Sequence, residues 1–419
     1  MSPWFKMLEG KPDHPMSDVG EVRKLLANLP ENDPLKALDE ITEWLGSVKD
    51  TPDFRPELRT NIVMLLDETG QPFQQALLQQ YLAESHLQDF QGMRLWQGMH
   101  GYMKALVEAY ALCIDEYQKE GKESPAFKGK ISIICVRLLH AIAGQMKLEL
   151  MRYINVEQAI WEQLYKYYNF AVANQLADSV VYAYSRRSAH TSPQRELLRA
   201  ALLYAASPAT LAPDQIEVSY HIAARLSSYF DFKEAADPDC IYFLDLAKSA
   251  APQEVNDKLQ ITPTMRFFGA ARAVPKLEEI INESEREQND EDQRLDKDFT
   301  PHGKLTVLKH LQIYWGKDHP HRRQERRGIH TSIEVIHGFQ IIGKLVTRAE
   351  LDQIGSLTEE EMAMLKEQSK INLTEVEDGI NYVTETWEVL DVSLGGIGGR
   401  IPKTAGDWVK IGALAASRP

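Results

Sequence analysis

The hydrophobic pattern of this chain changes period at Gly328, and that change limits it to a helical part followed by a smaller β part. Over residues 21–314 apolar side chains recur at three- and four-residue steps. Met99, Tyr102, Met103, Leu106, Tyr110, Cys113 and Tyr117 fall on one helical stripe, which must face a core. Residues 131–142, ISIICVRLLHAI, are apolar around most of the circumference, as expected of a helix packed on several sides. Helices are also expected at 34–48, 72–88, 156–176, 193–206 and 214–229, with Pro and Gly between them. After Gly328, Ile329, Thr331, Ile333 and Val335 alternate with His330, Ser332 and Glu334, the period of a half-buried strand. Further strands are expected at 339–347, 382–391, 397–401 and 408–414. Between the early and late strands, Ser356-Leu-Thr-Glu359 reads as a capping box opening a helix to about Lys370, an insertion at 348–372.

A chain of 419 residues is too long for one ordinary core. We expect an α+β chain: a large all-helical N-terminal domain over 1–282, an acidic linker and connecting helix over 283–316, and a β domain over 317–419. The run 283–298 holds eight acidic and three basic residues, the composition of a solvated helix end or linker. Trp161, Leu164, Tyr168 and Ala177 match part of a tetratricopeptide repeat, but no second copy follows at the 34-residue period, so an irregular helical domain is expected. Hydrophobic residues at 43% and charged residues at 26% fit an ordinary globular chain. The most apolar run, 131–136, stops at Arg137, short of the ~18 residues of a membrane span. The N-terminal stretch MSPWFKMLEGKPDHP lacks a basic n-region followed by an apolar h-region, and Cys113, Cys135 and Cys240 sit in no metal or redox spacing. A cytoplasmic chain with buried thiols is the expectation.

A net charge of −14 argues against a general nucleic-acid binder, so an anionic ligand needs a local basic patch. Lys317-Asp-His-Pro-His-Arg-Arg-Gln-Glu-Arg-Arg327, with five bases against two acids, is such a patch. Arginine suits phosphate or the O6 and N7 edge of guanine because its planar fork pairs bidentately, and its face stacks on a base. The second element is Asp391-Val-Ser-Leu-Gly-Gly396, at the end of an expected strand. Asp391 and Ser393, two residues apart in an extended segment, present an acceptor and a donor on one side. Gly395 and Gly396 permit a tight turn and close approach of a ligand. His319, His321, His330 and His337 match no metal-ligand spacing, so no metal is expected. The run Gly395-Gly-Ile-Gly-Gly399 is followed by no Lys-Ser/Thr and reads as a turn, not a phosphate loop. No catalytic signature is present, and an enzyme is not expected.

The two elements, in this order and flanking strands, resemble the PilZ family of cyclic di-GMP receptors. That family's pattern is Arg-Arg-x-x-x-Arg ahead of a six-stranded barrel, then Asp/Asn-x-Ser-x-x-Gly within it. Arg322, Arg323 and Arg327 fit the first part, Asp391, Ser393 and Gly396 the second, and Arg326 offers a shifted register with Arg322. The resemblance covers 322–414. It implies a PilZ-like β-barrel in which Arg322, Arg323, Arg326, Arg327, Asp391, Ser393, Gly395 and Gly396 bind cyclic di-GMP, with no cofactor. Arg326 and Asp391 are 65 residues apart, more than is usual in the family, so the insertion must loop out of the barrel. The barrel also falls one or two strands short at its C-terminal end. The implied function is a bacterial cyclic di-GMP receptor that signals to a protein partner through its helical domain. The alternative is a PilZ-like adaptor that binds no nucleotide and acts by protein–protein interaction. Single-stranded nucleic-acid binding is disfavoured by the net charge and by the lack of aromatic residues between the arginines.

Overall fold

Side-chain caps set where the first helices begin. The Asp18 carboxylate accepts from the Gly20 N–H at 2.8 Å and opens α1 (Val19–Ala27). Asp33 accepts from the Lys36 N–H at 3.1 Å, and Pro34 stands at the first turn of α2 (Pro34–Asp50). The structure is a computed structural model that describes residues 14–52, 54–83, 90–121, 123–184, 190–287, 301–317, 327–338, 341–343, 384–393, 396–401 and 415–417. It divides into two units, Met1–Pro320 and His321–Pro419.

The first unit continues with α3 (Pro56–Ala83), α4 (Phe90–Glu120), α5 (Ile131–Leu150) and α6 (Gln158–Ala173). A short ribbon of β1 (Val181–Tyr182) and β2 (His190–Thr191) precedes α7 (Pro193–Ala205) and α8 (Pro213–Leu226). Then come β3 (Asp231–Lys233), β4 (Tyr242–Asp245), β5 (Gln253–Glu254) and β6 (Met265–Gly269), followed by α9 (Ala273–Glu287) and α10 (Pro301–Trp315). One apolar core runs from Met16 to Trp315. Its centre is α5, which packs on α4, α6, α7 and α8. By length and composition α5 passes for a membrane-crossing helix, contrary to the sequence expectation, but 72% of that window is buried inside the structure. It is a core helix, apolar on all sides because helices surround it.

The all-helical expectation needs correcting. The strands β3 to β6 form an antiparallel sheet in the order β3-β6-β4-β5. They run two to five residues, too short to print a clear period of two. Gly269 lets β6 pass the preceding loop, since a Cβ there would lie 1.9 Å from the Asp239 carbonyl oxygen. The Tyr242 hydroxyl donates to the Tyr314 carbonyl at 2.6 Å, and the Trp315 indole N–H donates to the Leu202 carbonyl at 3.1 Å, tying sheet, α10 and α7 together. Helix α3 also begins well before 72 and carries Pro72 in its interior. Helices α3 and α4, at 28 and 31 residues, are too long for the two-helix unit of a 34-residue repeat. Cys113, Cys135 and Cys240 are free and buried, and burial pushes their thiols up to about 11, about 12 and about 11.

The second unit is a four-stranded antiparallel sheet of β7 (Arg327–His337), β8 (Glu385–Ser393), β9 (Gly396–Arg400) and β10 (Ala415–Ser417), ordered β10-β7-β8-β9. Ile329 and Ile333 are half-buried and Val335 is buried while His330, Ser332 and Glu334 are exposed, as the alternation predicts, but Thr331 of the inward set is exposed and Ile336 is buried. The described residues form no closed barrel, which corrects that expectation. After β7, Gly338 takes φ +98° and its carbonyl accepts from the Ile342 N–H at 2.9 Å, so 341–343 make a helical turn where a strand was expected. The Gly-rich run read as a turn is mostly strand β9. The expected strand at 408–414 and the inserted helix lie outside the described residues.

A buried polar hub joins three of the core helices. The Asp67 carboxylate of α3 is fully buried and accepts from the hydroxyls of Tyr110 at 2.6 Å and Tyr184 at 3.2 Å and from the Gln71 amide at 2.7 Å. Arg137 of α5, 3.7 Å away, donates to the carbonyls of Ala183 at 2.7 Å and Met64 at 3.1 Å and to Glu68 at 2.5 Å. The Tyr102 hydroxyl donates to the Asp67 main-chain carbonyl at 3.0 Å across Gly70, where a Cβ would lie 2.4 Å from the tyrosine hydroxyl oxygen. Removing one partner strands a buried charge, so Asp67→Ala should cost about 3–5 kcal/mol in urea unfolding. Lys24→Ala, which breaks the exposed pair with Glu21, should leave the midpoint unchanged.

Candidate functional site

Register sets the start of β7, with the one described arginine of the basic run, beside the end of β8. In the ladder of β7 and β8, Arg327 lies opposite Val392 and Gly328 opposite Asp391. In the ladder of β8 and β9, Asp391 lies opposite Gly398 and Ser393 opposite Gly396. Directly opposed residues share a face, so Asp391 is flanked by glycine on both sides and Ser393 by glycine on one. By register, the residues directly opposite the acceptor and the donor on the described strands are the glycines Gly328, Gly398 and Gly396, which carry no side chain and permit close approach of a flat ligand. Both ladders slip beside Leu390, between Val389 and Asp391, and irregularities of this kind re-aim the residues that follow. The Ser393 hydroxyl donates to the Gly396 carbonyl at 3.3 Å across the hairpin. Arg327 is exposed and by register shares the face of Val392, not that of Asp391. Gly328 and Gly398 were missed in the sequence, where nothing shows which residue will stand opposite Asp391. Arg322, Arg323, Arg326 and Gly395 lie outside the described residues, as do His319 and His321. Among the described residues no group of three or more His, Cys, Asp or Glu side chains is placed to hold a metal ion.

A second polar cluster lies in the helical unit. Helix α5 carries Arg137, His140, Gly144 and Lys147 at steps of three, four and three, a polar stripe on an otherwise apolar helix. Opposite it, α7 supplies Glu196 and Arg199, and α8 supplies Glu217, Tyr220 and His221. His140 Nδ1 is 3.1 Å from both the Glu196 carboxylate and Arg199 Nη1, so it accepts from arginine when neutral and donates to carboxylate when protonated. Thr191 donates to the other Glu196 oxygen at 2.7 Å. Glu217 is held by Lys147 on one oxygen and by His221 at 2.8 Å on the other. The Arg199 guanidinium sits 3.6 Å from the centre of the Tyr220 ring. Of these groups His140, Lys147, Arg199, Glu217, Tyr220 and His221 line, with the α3 glutamines, a cleft of about 480 Å³. Its sequence signal was the charged residues at helical spacing on apolar stripes.

Burial alone would raise both carboxyls, but His140 and Arg199 beside Glu196, and Lys147 and His221 beside Glu217, outweigh it and hold each at about 2. A pKa lowered on folding adds stability above the unfolded value of 4.5 and loses it as the pH falls toward 2. Each carboxylate accounts for up to about 3 kcal/mol of that loss. Urea unfolding from pH 7 to pH 3 should show this fall, and Glu217→Gln should flatten part of it.

Two facts bear on what family the chain comes from. A family model described as the N-terminal domain of the cyclic-di-GMP receptor FimW matches residues 20–237. No curated protein and no solved structure matches the chain. The matched segment contains the Asp67 hub and the cleft, whereas the glycine-floored face of β8 lies beyond it. The match spans just over half of the chain and all of α2 to α8, and the protein belongs to the family of the N-terminal domain of the cyclic-di-GMP receptor FimW.

Proposed function

We propose that this protein is a cyclic di-GMP receptor that holds the dinucleotide on the PilZ-like sheet, between the arginine-rich lead-in to β7 and the end of β8. The observation that carries this reading is the register: Asp391 and Ser393 stand among Gly328, Gly398 and Gly396, directly beside the strand that the arginines enter. The Asp391 carboxylate accepts from the N1 and N2 hydrogens of a guanine, Ser393 adds a donor, and the glycine floor lets the base lie close. Arg322, Arg323, Arg326 and Arg327 pair with phosphate and with guanine edges. Membership of the FimW family supports the ligand class. In this reading the protein acts in the cytoplasm by binding and not by catalysis, needs no cofactor, and passes the signal to a protein partner through its helical unit.

Isothermal titration of the full chain with cyclic di-GMP tests this. Asp391→Ala should weaken binding by about fivefold to about 150-fold, the worth of one well-made base contact. Gly398→Val, which fills the floor beside Asp391, should weaken it comparably. No heat at high micromolar nucleotide, or unchanged affinity in both variants, would remove the reading. Unchanged affinity would leave the nucleotide to another surface, and absence of binding would favour an adaptor role.

A further inference from the structure

The cleft of the helical unit has the properties of a ligand site separate from the sheet. Its volume of about 480 Å³ falls in the range of small-molecule sites, about 300–1,000 Å³. Its wall charges cancel internally. Lys147 and His221 are committed to Glu217, and His140 and Arg199 to Glu196. Asp214, exposed at the mouth, adds a negative charge. Among the described residues that line the cleft no cation is left over to attract a phosphate or carboxylate, so a ligand here is selected by hydrogen bonding and shape.

The hydrogen-bonding wall comes from α3. Gln71 is engaged by Asp67 and Tyr184. One helical turn on, Gln74 faces the cleft with only 6% of its surface exposed, and its side-chain amide makes no hydrogen bond among the described residues. That amide opens onto the cleft and offers a donor and an acceptor side by side. Gln75 stands exposed at the mouth. The other walls include Leu78, Leu82 and Met103, apolar surfaces that suit the face of a planar ring. The Tyr220 ring is already covered by Arg199, so it offers less to a sugar that would need an open aromatic face.

We propose that this cleft binds an uncharged purine nucleoside with an adenine-type edge. A glutamine amide pairs bidentately with that edge, accepting from the N6 amine and donating to N7, and Gln74 is the residue placed to do so. The proposal does not rest on the sheet site, and either can fail without the other.

The test is isothermal titration of the full chain with adenosine, with AMP, and with cyclic di-GMP. Adenosine should bind, AMP should bind about tenfold more weakly because the walls leave its phosphate unpaired, and Asp391→Ala should leave adenosine affinity unchanged. Gln74→Met keeps the side-chain volume and should reduce adenosine affinity about tenfold or more. Gln75→Ala, at an exposed position that does not threaten folding, should reduce it about threefold. No adenosine binding at millimolar concentration, tighter binding of AMP than of adenosine, or full affinity in both glutamine variants would overturn the proposal. So would loss of adenosine binding in Asp391→Ala, which would put the nucleoside on the sheet.

Discussion

The Asp67–Arg137 hub is the interaction on which the helical unit depends. A fully buried carboxylate is tolerable only when its oxygens are filled, and here hydroxyls from Tyr110 and Tyr184 and the amide of Gln71 fill them. Arg137 closes the arrangement by binding carbonyls of α3 and of the segment before β2. Apolar packing alone would allow α3, α4 and α5 to slide by a fraction of a turn at little cost. A set of directional bonds shared by three helices does not, because a slip would strand a charge. Gly70 belongs to the same constraint, since only glycine leaves Tyr102 room to reach across.

The cleft follows from that register. Gln71 belongs to both the hub and the cleft wall, so fixing α3 against α5 also fixes the glutamine face opposite Lys147 and His140. The two buried carboxylates, Glu196 and Glu217, lock α7 and α8 to α5 through ion pairs with few alternatives in a low-dielectric interior. The polar interior of this unit thus orders the helices and shapes a concavity. The sheet of the second unit is built differently, with glycines standing beside its polar pair. Three glycines on two strands surround Asp391 and Ser393, and the ladder slip at Leu390 sets these two apart from the regular part of β8.

Much of the helical unit was legible because long amphipathic and all-round apolar stretches print their period over many turns. Helices α2, α6, α7 and α8 begin and end close to where their caps and periodicity place them. Helix α3 was cut short in the reading because Pro72 usually starts a helix, whereas here it sits inside one. The small sheet of β3 to β6 was invisible because strands of two to five residues are too short for alternation to show. In the second unit β7, β8 and β9 were readable, but the described residues form no closed barrel, and 341–343 make a helical turn after Gly338 where a strand was expected.

Taken alone, the amino-acid sequence determined the change from helical to strand period near Gly328, the main core stripes, and the residue types of the arginine-rich and Asp-x-Ser motifs, because each is a local property of neighbours along the chain. Tertiary structure decided what stands opposite what. It put Gly328 and Gly398 beside Asp391, and it assembled Arg199, Glu217, His140 and Lys147 from three helices into one cleft wall. Register and helix packing are set by contacts between residues far apart in the chain, and no spacing along the chain encodes a partner on another strand or helix.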